Sequence, residues 1–149
     1  MATDTEIAWA AGLLDGEGCI SICQELPKSG RRPVKTARYT LRVKMSLTHE
    51  AALKRFADIV GQGFVWECRR KFERPRKRIW VWEAASRKAE RVLELLLPHL
   101  YLKADQAEVA LKFMREWSTC GQNGRRETPE EVTENRRLLY QQLRDLKVG

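Results

Sequence analysis

Asp15 and Glu17, two residues apart in the run Asp15-Gly16-Glu17-Gly18, are the side chains of this sequence best suited to chemistry. They follow a helix-forming stretch and so fall at a helix C-terminus, the negative end of the macrodipole, where anionic side chains are disfavoured. Two carboxylates there call for a compensating cation. A hard divalent ion such as Mg²⁺ would supply it, held by carboxylate oxygens and by the carbonyls that a helix end leaves free. A solvated Asp-Gly turn is the plainer reading of such a run taken alone. Zinc chemistry is disfavoured: Cys19, Cys23, Cys68 and Cys120 form no Cys-x-x-Cys pair, and only His49 and His99 could assist them. Reduced thiols in an intracellular compartment are the expectation.

The element that must carry the two carboxylates begins at Thr3-Asp4-Thr5-Glu6, a capping box with Thr3 as N-cap and Glu6 reaching back. Ile7, Trp9, Leu13 and Leu14 suit a buried helix. Ala8, Ala11, Gly12 and Asp15 fall at i, i+3, i+4 and i+7, a face almost free of side chains that lets two helix backbones approach closely. Gly16 and Gly18 are expected to end the helix through positive φ angles.

Downstream, residues 19–25 alternate, with Ile20 and Ile22 on one side and Ser21, Cys23 and Glu25 on the other, as in a half-buried strand. A loop with a basic tip covers 26–34. Residues 38–47 alternate most cleanly, with Tyr39, Leu41, Val43, Met45 and Leu47 facing one way and Arg38, Thr40, Arg42, Lys44 and Ser46 the other. Thr48 can cap a helix with the stripe Leu53, Phe56, Ala57, Val60, ending near Gly61. Residues 63–70 and 78–83 read as a second hairpin around a basic loop at 71–77. Helices are expected from Ser86 to Leu97, broken at Pro98, and from Lys103 to about residue 119. After a polar loop, Thr128-Pro129-Glu130-Glu131 is a strong start signal for a last helix to about Leu146, with Leu138, Leu139, Leu143 and Leu146 on its apolar side.

The sequence has 149 residues, which suits one domain with a real core; hydrophobic residues make up 43% and charged residues 32%, a globular balance. The formal net charge is +8, which points to a polyanion, nucleic acid before anionic membrane. No apolar run has the length of a membrane span, and the acidic N-terminus shows no signal or transit pattern. Half of the 28 Lys and Arg residues lie in two segments, seven in 28–44 with no acid and seven in 69–78 with Glu73 alone. A solvated face is the plain reading of a charge run. It leaves unexplained why Arg38, Arg42 and Lys44 share one strand face, since like charges in a row repel until they meet phosphates or base edges. A β-ribbon fits the major groove, where Arg or Lys bonds guanine. The candidate DNA contacts are therefore Ser21, Cys23 and Glu25, then Lys28, Arg31 and Arg32, then Arg38, Thr40, Arg42 and Lys44, with Arg70 and Arg78 from the second hairpin. Trp80 and Trp82 share a face and suit stacking on DNA or packing; strand aromatics more often serve burial, so packing is expected.

The run Ala10-Ala11-Gly12-Leu13-Leu14-Asp15-Gly16-Glu17-Gly18 resembles the LAGLIDADG motif of homing endonucleases, with Ala10 in place of the first Leu and Glu17 in place of the second Asp. Leu100-Tyr101-Leu102-Lys103 resembles the family's Leu-x-Leu-Lys segment. The element order matches the αββαββα core of the single-motif members. The resemblance implies an α+β fold: a saddle-shaped antiparallel sheet, a core over about 3–117 and a C-terminal helical extension over about 128–147. It implies a site-specific endonuclease for double-stranded DNA, carried by a mobile intron or intein. Glu17 and the Gly16 carbonyl would hold Mg²⁺, and Lys103 would stand near the scissile phosphate as a second catalytic group. Asp15 would shape the helix end. One motif offers one carboxylate and a duplex needs two cuts, so a homodimer on a pseudo-palindromic target is expected, joined through Ala8, Ala11, Gly12 and Asp15. One departure stands out. The family usually has Gln or Lys near the end of the second strand, where this sequence has Leu47; Lys44 or Ser46 would have to serve. A non-cleaving relative of the same fold, a maturase or a DNA-binding regulator, is the alternative. A basic interaction domain such as a ribosome-associated one is weaker, because it leaves the Gly12-to-Gly18 geometry unexplained.

Overall fold

A computed structural model describes residues 1–31, 36–69, 77–118 and 129–148. Elements run α1 (Asp4–Glu17), β1 (Gly18–Glu25), β2 (Arg38–Leu47), α2 (Glu50–Val60), β3 (Phe64–Glu67), β4 (Trp80–Ala85), α3 (Ser86–Leu96), a 3-10 turn (Leu97–His99), α4 (Ala104–Ser118) and α5 (Glu130–Val148). The four strands form one antiparallel sheet in the order β1-β2-β4-β3. The class is α+β, as expected.

Alternation along the strands makes this sheet two-faced. Ile20, Ile22, Tyr39, Leu41, Val43, Met45, Trp82 and Ala84 are buried against the helices, while Cys19, Cys23, Arg38, Arg42, Lys44 and Ser46 are exposed on the other side. Trp82 is fully buried: its indole meets Phe56 of α2 edge-on, centroids 4.7 Å apart, and donates to the Gln62 carbonyl at 3.0 Å. Burial, not stacking on DNA, is therefore its role, because an indole in a dry core needs a partner for its N–H and has one.

Several elements differ in detail from expectation. The capping box at Thr3 and Glu6 is present, and the Thr3 N–H bond holds the Glu6 carboxyl below its ordinary range. Gly16 and Gly18 do not turn through positive φ; α1 runs to Glu17 and Gly18 is extended at φ −84°. Gly18 is required for space: a Cβ there would stand 2.7 Å from the Leu14 carbonyl oxygen. His49, not Thr48, caps α2, its Nδ1 accepting from the Ala52 N–H at 3.0 Å, and Gly61 ends that helix in the left-handed region at φ 65°. In α1, Ala10, Ala11, Leu14 and Asp15 are buried, whereas Ile7, Trp9 and Leu13 are half-buried, with Arg55 of α2 over the Trp9 ring. In α5, Arg136, Leu139 and Leu143 face inward, Tyr140 lies against Tyr39, and Leu138 and Leu146 remain exposed.

Candidate metal centre and nucleic-acid interface

The C-terminus of α1 and the N-terminus of α4 lie end to end. Each neutralises what is unfavourable in the other. Asp15, though at the negative end of its own helix, accepts the main-chain N–H of Tyr101 at 2.8 Å and of Lys103 at 3.0 Å. These are donors at the entrance of α4, whose first bond runs from the Ala107 N–H to the Lys103 carbonyl. A carboxylate there satisfies orphan N–H groups at the positive end of the α4 dipole. The reciprocal contact comes from Lys103, whose ammonium donates to the Asp15 carbonyl, one of the orphan acceptors that end α1. Lys103 thus stands at a helix start, a poor place for a cation, because its charge is delivered to the other helix's C-terminus.

With Asp15 buried and committed, Glu17 is the free carboxylate. It is exposed, as is Gly16, and it enters the first strand directly at Gly18. Lys103 is half-buried, its ammonium on the Asp15 carbonyl two residues before Glu17. The compensating cation that two carboxylates call for is thus partly Lys103 itself; Asp15 needs no metal.

The outer face of the sheet spreads from this point. Register pairs Cys19 with Lys44, Ser21 with Arg42, Cys23 with Thr40 and Glu25 with Arg38. On the other side of β2, Lys44 pairs with Glu83 and Ser46 with Val81. The expected cationic row is there, with Arg38, Arg42 and Lys44 exposed and Thr40 and Ser21 half-buried. It is not free of acids, however. Glu83 bonds Arg42 at 3.2 Å, a pairing that depends on β4 lying beside β2 and that strand alternation alone does not reveal, and Glu25 bonds Lys28 three residues on at 3.2 Å. Arg31 is exposed, and Arg78 approaches Glu67 at 3.6 Å. Arg32 and Arg70 lie outside the described residues.

The small-residue face of α1 divides in two. Ala11 is fully buried and Asp15 is turned to α4, so neither is available to a second copy; both serve the protomer's own core. Ala8 and Gly12 are exposed, and Gly16 continues their ridge at the same four-residue spacing. A Cβ placed on Gly12 or Gly16 would meet nothing within 4 Å.

No family model matches this sequence, and no curated protein matches it. Solved structures do. The homing endonuclease I-CvuI, crystallised on DNA in the presence of Mg with the DNA not cleaved, is 22% identical with a TM-score of 0.73, over 97% of this chain and 83% of that one. The archaeal intron-encoded homing endonuclease I-Vdi141I, complexed with DNA, is 14% identical with a TM-score of 0.74, over 96% and 84%. The homing endonuclease I-TnaI is 14% identical with a TM-score of 0.65, over 98% and 97%. The fold is that of the LAGLIDADG homing endonucleases.

Within the LAGLIDADG fold, two features of this chain are not written in its local sequence pattern. Tyr101 and Leu102 are 87% and 69% exposed beside the α1 terminus, an apolar pair that a helix-entry segment did not advertise. Phe64 and Trp66 stack on the outer sheet face. Leu47, the departure from the family pattern, is half-buried on the inner face across from Trp80, while Lys44 and Ser46 hold the outer face at the end of β2 that pairs with β1's start. No helix among the described residues is long and apolar enough to cross a membrane.

Proposed function

We propose that this chain is a site-specific endonuclease that hydrolyses double-stranded DNA with Mg²⁺, working as a homodimer. The observation that carries the reading is the end-to-end meeting of α1 and α4. It leaves one exposed carboxylate, Glu17, and one anchored ammonium, Lys103, at the edge of a basic sheet face. The donors there are oxygens: the Glu17 carboxylate and the Gly16 carbonyl. Among the described residues no three His, Cys, Asp or Glu gather, and with Asp15 bonded to main chain Glu17 is the carboxylate a protomer has to offer. That suits Mg²⁺, which is held by one or two carboxylates, waters and substrate phosphates in place of a protein cage. Bound there, the ion would polarise the phosphate and activate water. Glu17 fixes its place. Lys103, oriented by the Asp15 carbonyl, puts a positive charge where negative charge develops on the phosphate and orders nearby solvent. Arg38, Arg42 and Lys44 supply the phosphate and base contacts, with Arg31 and Arg78 at the rim. Ala8 and Gly12 of two copies cross closely, flanked by Tyr101 and Leu102, and set two Glu17 carboxylates side by side, one per strand. The solved neighbours, which include homing endonucleases on DNA, support this reading.

Leu47 favours one second reading, a DNA-binding protein of the same fold that does not cut. Its inward side chain offers no polar group to the site, so Lys44 or Ser46 must serve. Duplexes selected by the protein from a random library, cloned into supercoiled plasmid, separate the two. The endonuclease gives linear plasmid in Mg²⁺ and bound, intact plasmid in Ca²⁺; intact plasmid in both establishes the binding protein. Binding itself should weaken with a linear log–log salt slope of about 0.9 per phosphate neutralised.

A further inference from the structure

We infer that Phe64 and Trp66 read the 5-methyl group of thymine, an inference that rests on the sheet's outer face binding duplex DNA. Cα partners in an antiparallel pair share a face, so the register Phe64–Glu83 and Glu83–Lys44 sets Phe64 on the same outward side as the basic row. The two rings stack, centroids 4.9 Å apart and planes 30° from parallel. Phe64 is 61% exposed on β3, an edge strand, so most of its side chain is open beside Trp66. Val81, directly across from Trp66, makes the floor apolar too and is buried.

Charge decides which part of a duplex meets this patch. A phosphate needs cations or N–H donors around it. Phe64 instead has Trp66 on one side and Glu83 opposite, an acid already bonded to Arg42 at 3.2 Å. Phosphates are disfavoured there, while Lys44 and Arg42, both on β2, are two strands away across β4. The remaining surface a duplex offers to a sheet in its major groove is the base edges, and the apolar group among them is the thymine methyl, which Phe contacts elsewhere in DNA recognition. Side chains on a strand stand perpendicular to the sheet, so the rings would reach the edges of paired bases.

Deoxyuridine, which lacks only that methyl, is the test. Duplexes selected by the wild-type protein are remade with each thymine in turn replaced by deoxyuridine. Binding is measured in Ca²⁺ for the wild type and for Phe64→Ala, whose side chain is exposed and whose fold is checked by thermal unfolding. Burying one methyl or methylene corresponds to about a fourfold change in affinity. The expected result is one thymine per half-site at which uracil weakens the wild type about fourfold and leaves Phe64→Ala unchanged. Indifference of the wild type to uracil at every position overturns the inference and leaves DNA binding intact. So does a uracil penalty that survives in Phe64→Ala, or tighter binding when the facing base is unpaired, which would mean stacking on an open base. Failure to enrich any duplex overturns the DNA-binding reading and this one with it.

Discussion

Glu17 and Asp15 differ by two positions and play opposite parts, because one side chain is exposed and the other is bonded to main chain. Glu17→Gln keeps size and removes the charge proposed to hold a divalent ion. It should abolish plasmid cleavage in Mg²⁺ while leaving affinity measured in Ca²⁺ within a few-fold of wild type; near-normal cutting would remove Glu17 from the mechanism. Asp15→Asn should act on stability first. An amide has one acceptor oxygen for two N–H donors and no charge for the α4 terminus, and losing a hydrogen bond to a charged group costs about 1.5–3 kcal/mol. Urea unfolding should show a lowered midpoint at unchanged slope. An unshifted midpoint would mean that the bonds from Tyr101 and Lys103 contribute nothing net.

At the scale of elements, the decisive arrangement is the α1–β1 junction. A helix passes into a strand with no loop between them, since α1 ends at Glu17 and β1 begins at Gly18. That is possible because the chain at Gly18 crosses close over Leu14. Gly18→Ala would put a methyl 2.7 Å from the Leu14 carbonyl oxygen and 2.9 Å from its Cγ, and neither the helix backbone nor the buried leucine can give way cheaply. Overpacking of this kind costs about 1–3 kcal/mol. Urea denaturation of Gly18→Ala should show that loss, together with reduced cleavage because Glu17 is displaced; full stability would show that the junction is looser than its contacts imply.

For the whole molecule, the question is what covers the Ala8–Gly12–Gly16 ridge. Gly12→Leu discriminates well. The added side chain starts in open space within α1, so the isolated protomer should lose no stability and gain about 0.5–1 kcal/mol, the penalty of a mid-helix glycine. Two copies crossing at that glycine would be wedged apart. Sedimentation equilibrium should therefore find wild-type dimers and Gly12→Leu monomers, with cleavage lost only in the latter. A wild type that stays monomeric, free and on its selected DNA, would end the homodimer proposal.

Local pattern determined much of this protein. A period of two made β2 and its inward Tyr39, Leu41, Val43 and Met45 legible, and cap chemistry marked Thr3 and Gly61, because those signals depend on residues within a few positions of each other. The nine-residue resemblance carried the fold, whose element order the structure reproduces. What periodicity could not reach were pairings across the sheet and between helix ends. Strand alternation showed a cationic row on β2 but not that Glu83 of β4 would sit against Arg42, since strand order 1-2-4-3 is set by packing of the whole sheet. A stripe of four residues on α1 looked continuous, yet the core takes Ala11 and α4 takes Asp15, leaving Ala8 and Gly12 outside. The Asp15 carboxylate looked misplaced at a helix C-terminus because its partners, the N–H groups of Tyr101 and Lys103, come from 86 and 88 residues away. Only the tertiary structure brings two opposed helix dipoles together and turns two unfavourable charges into one favourable joint.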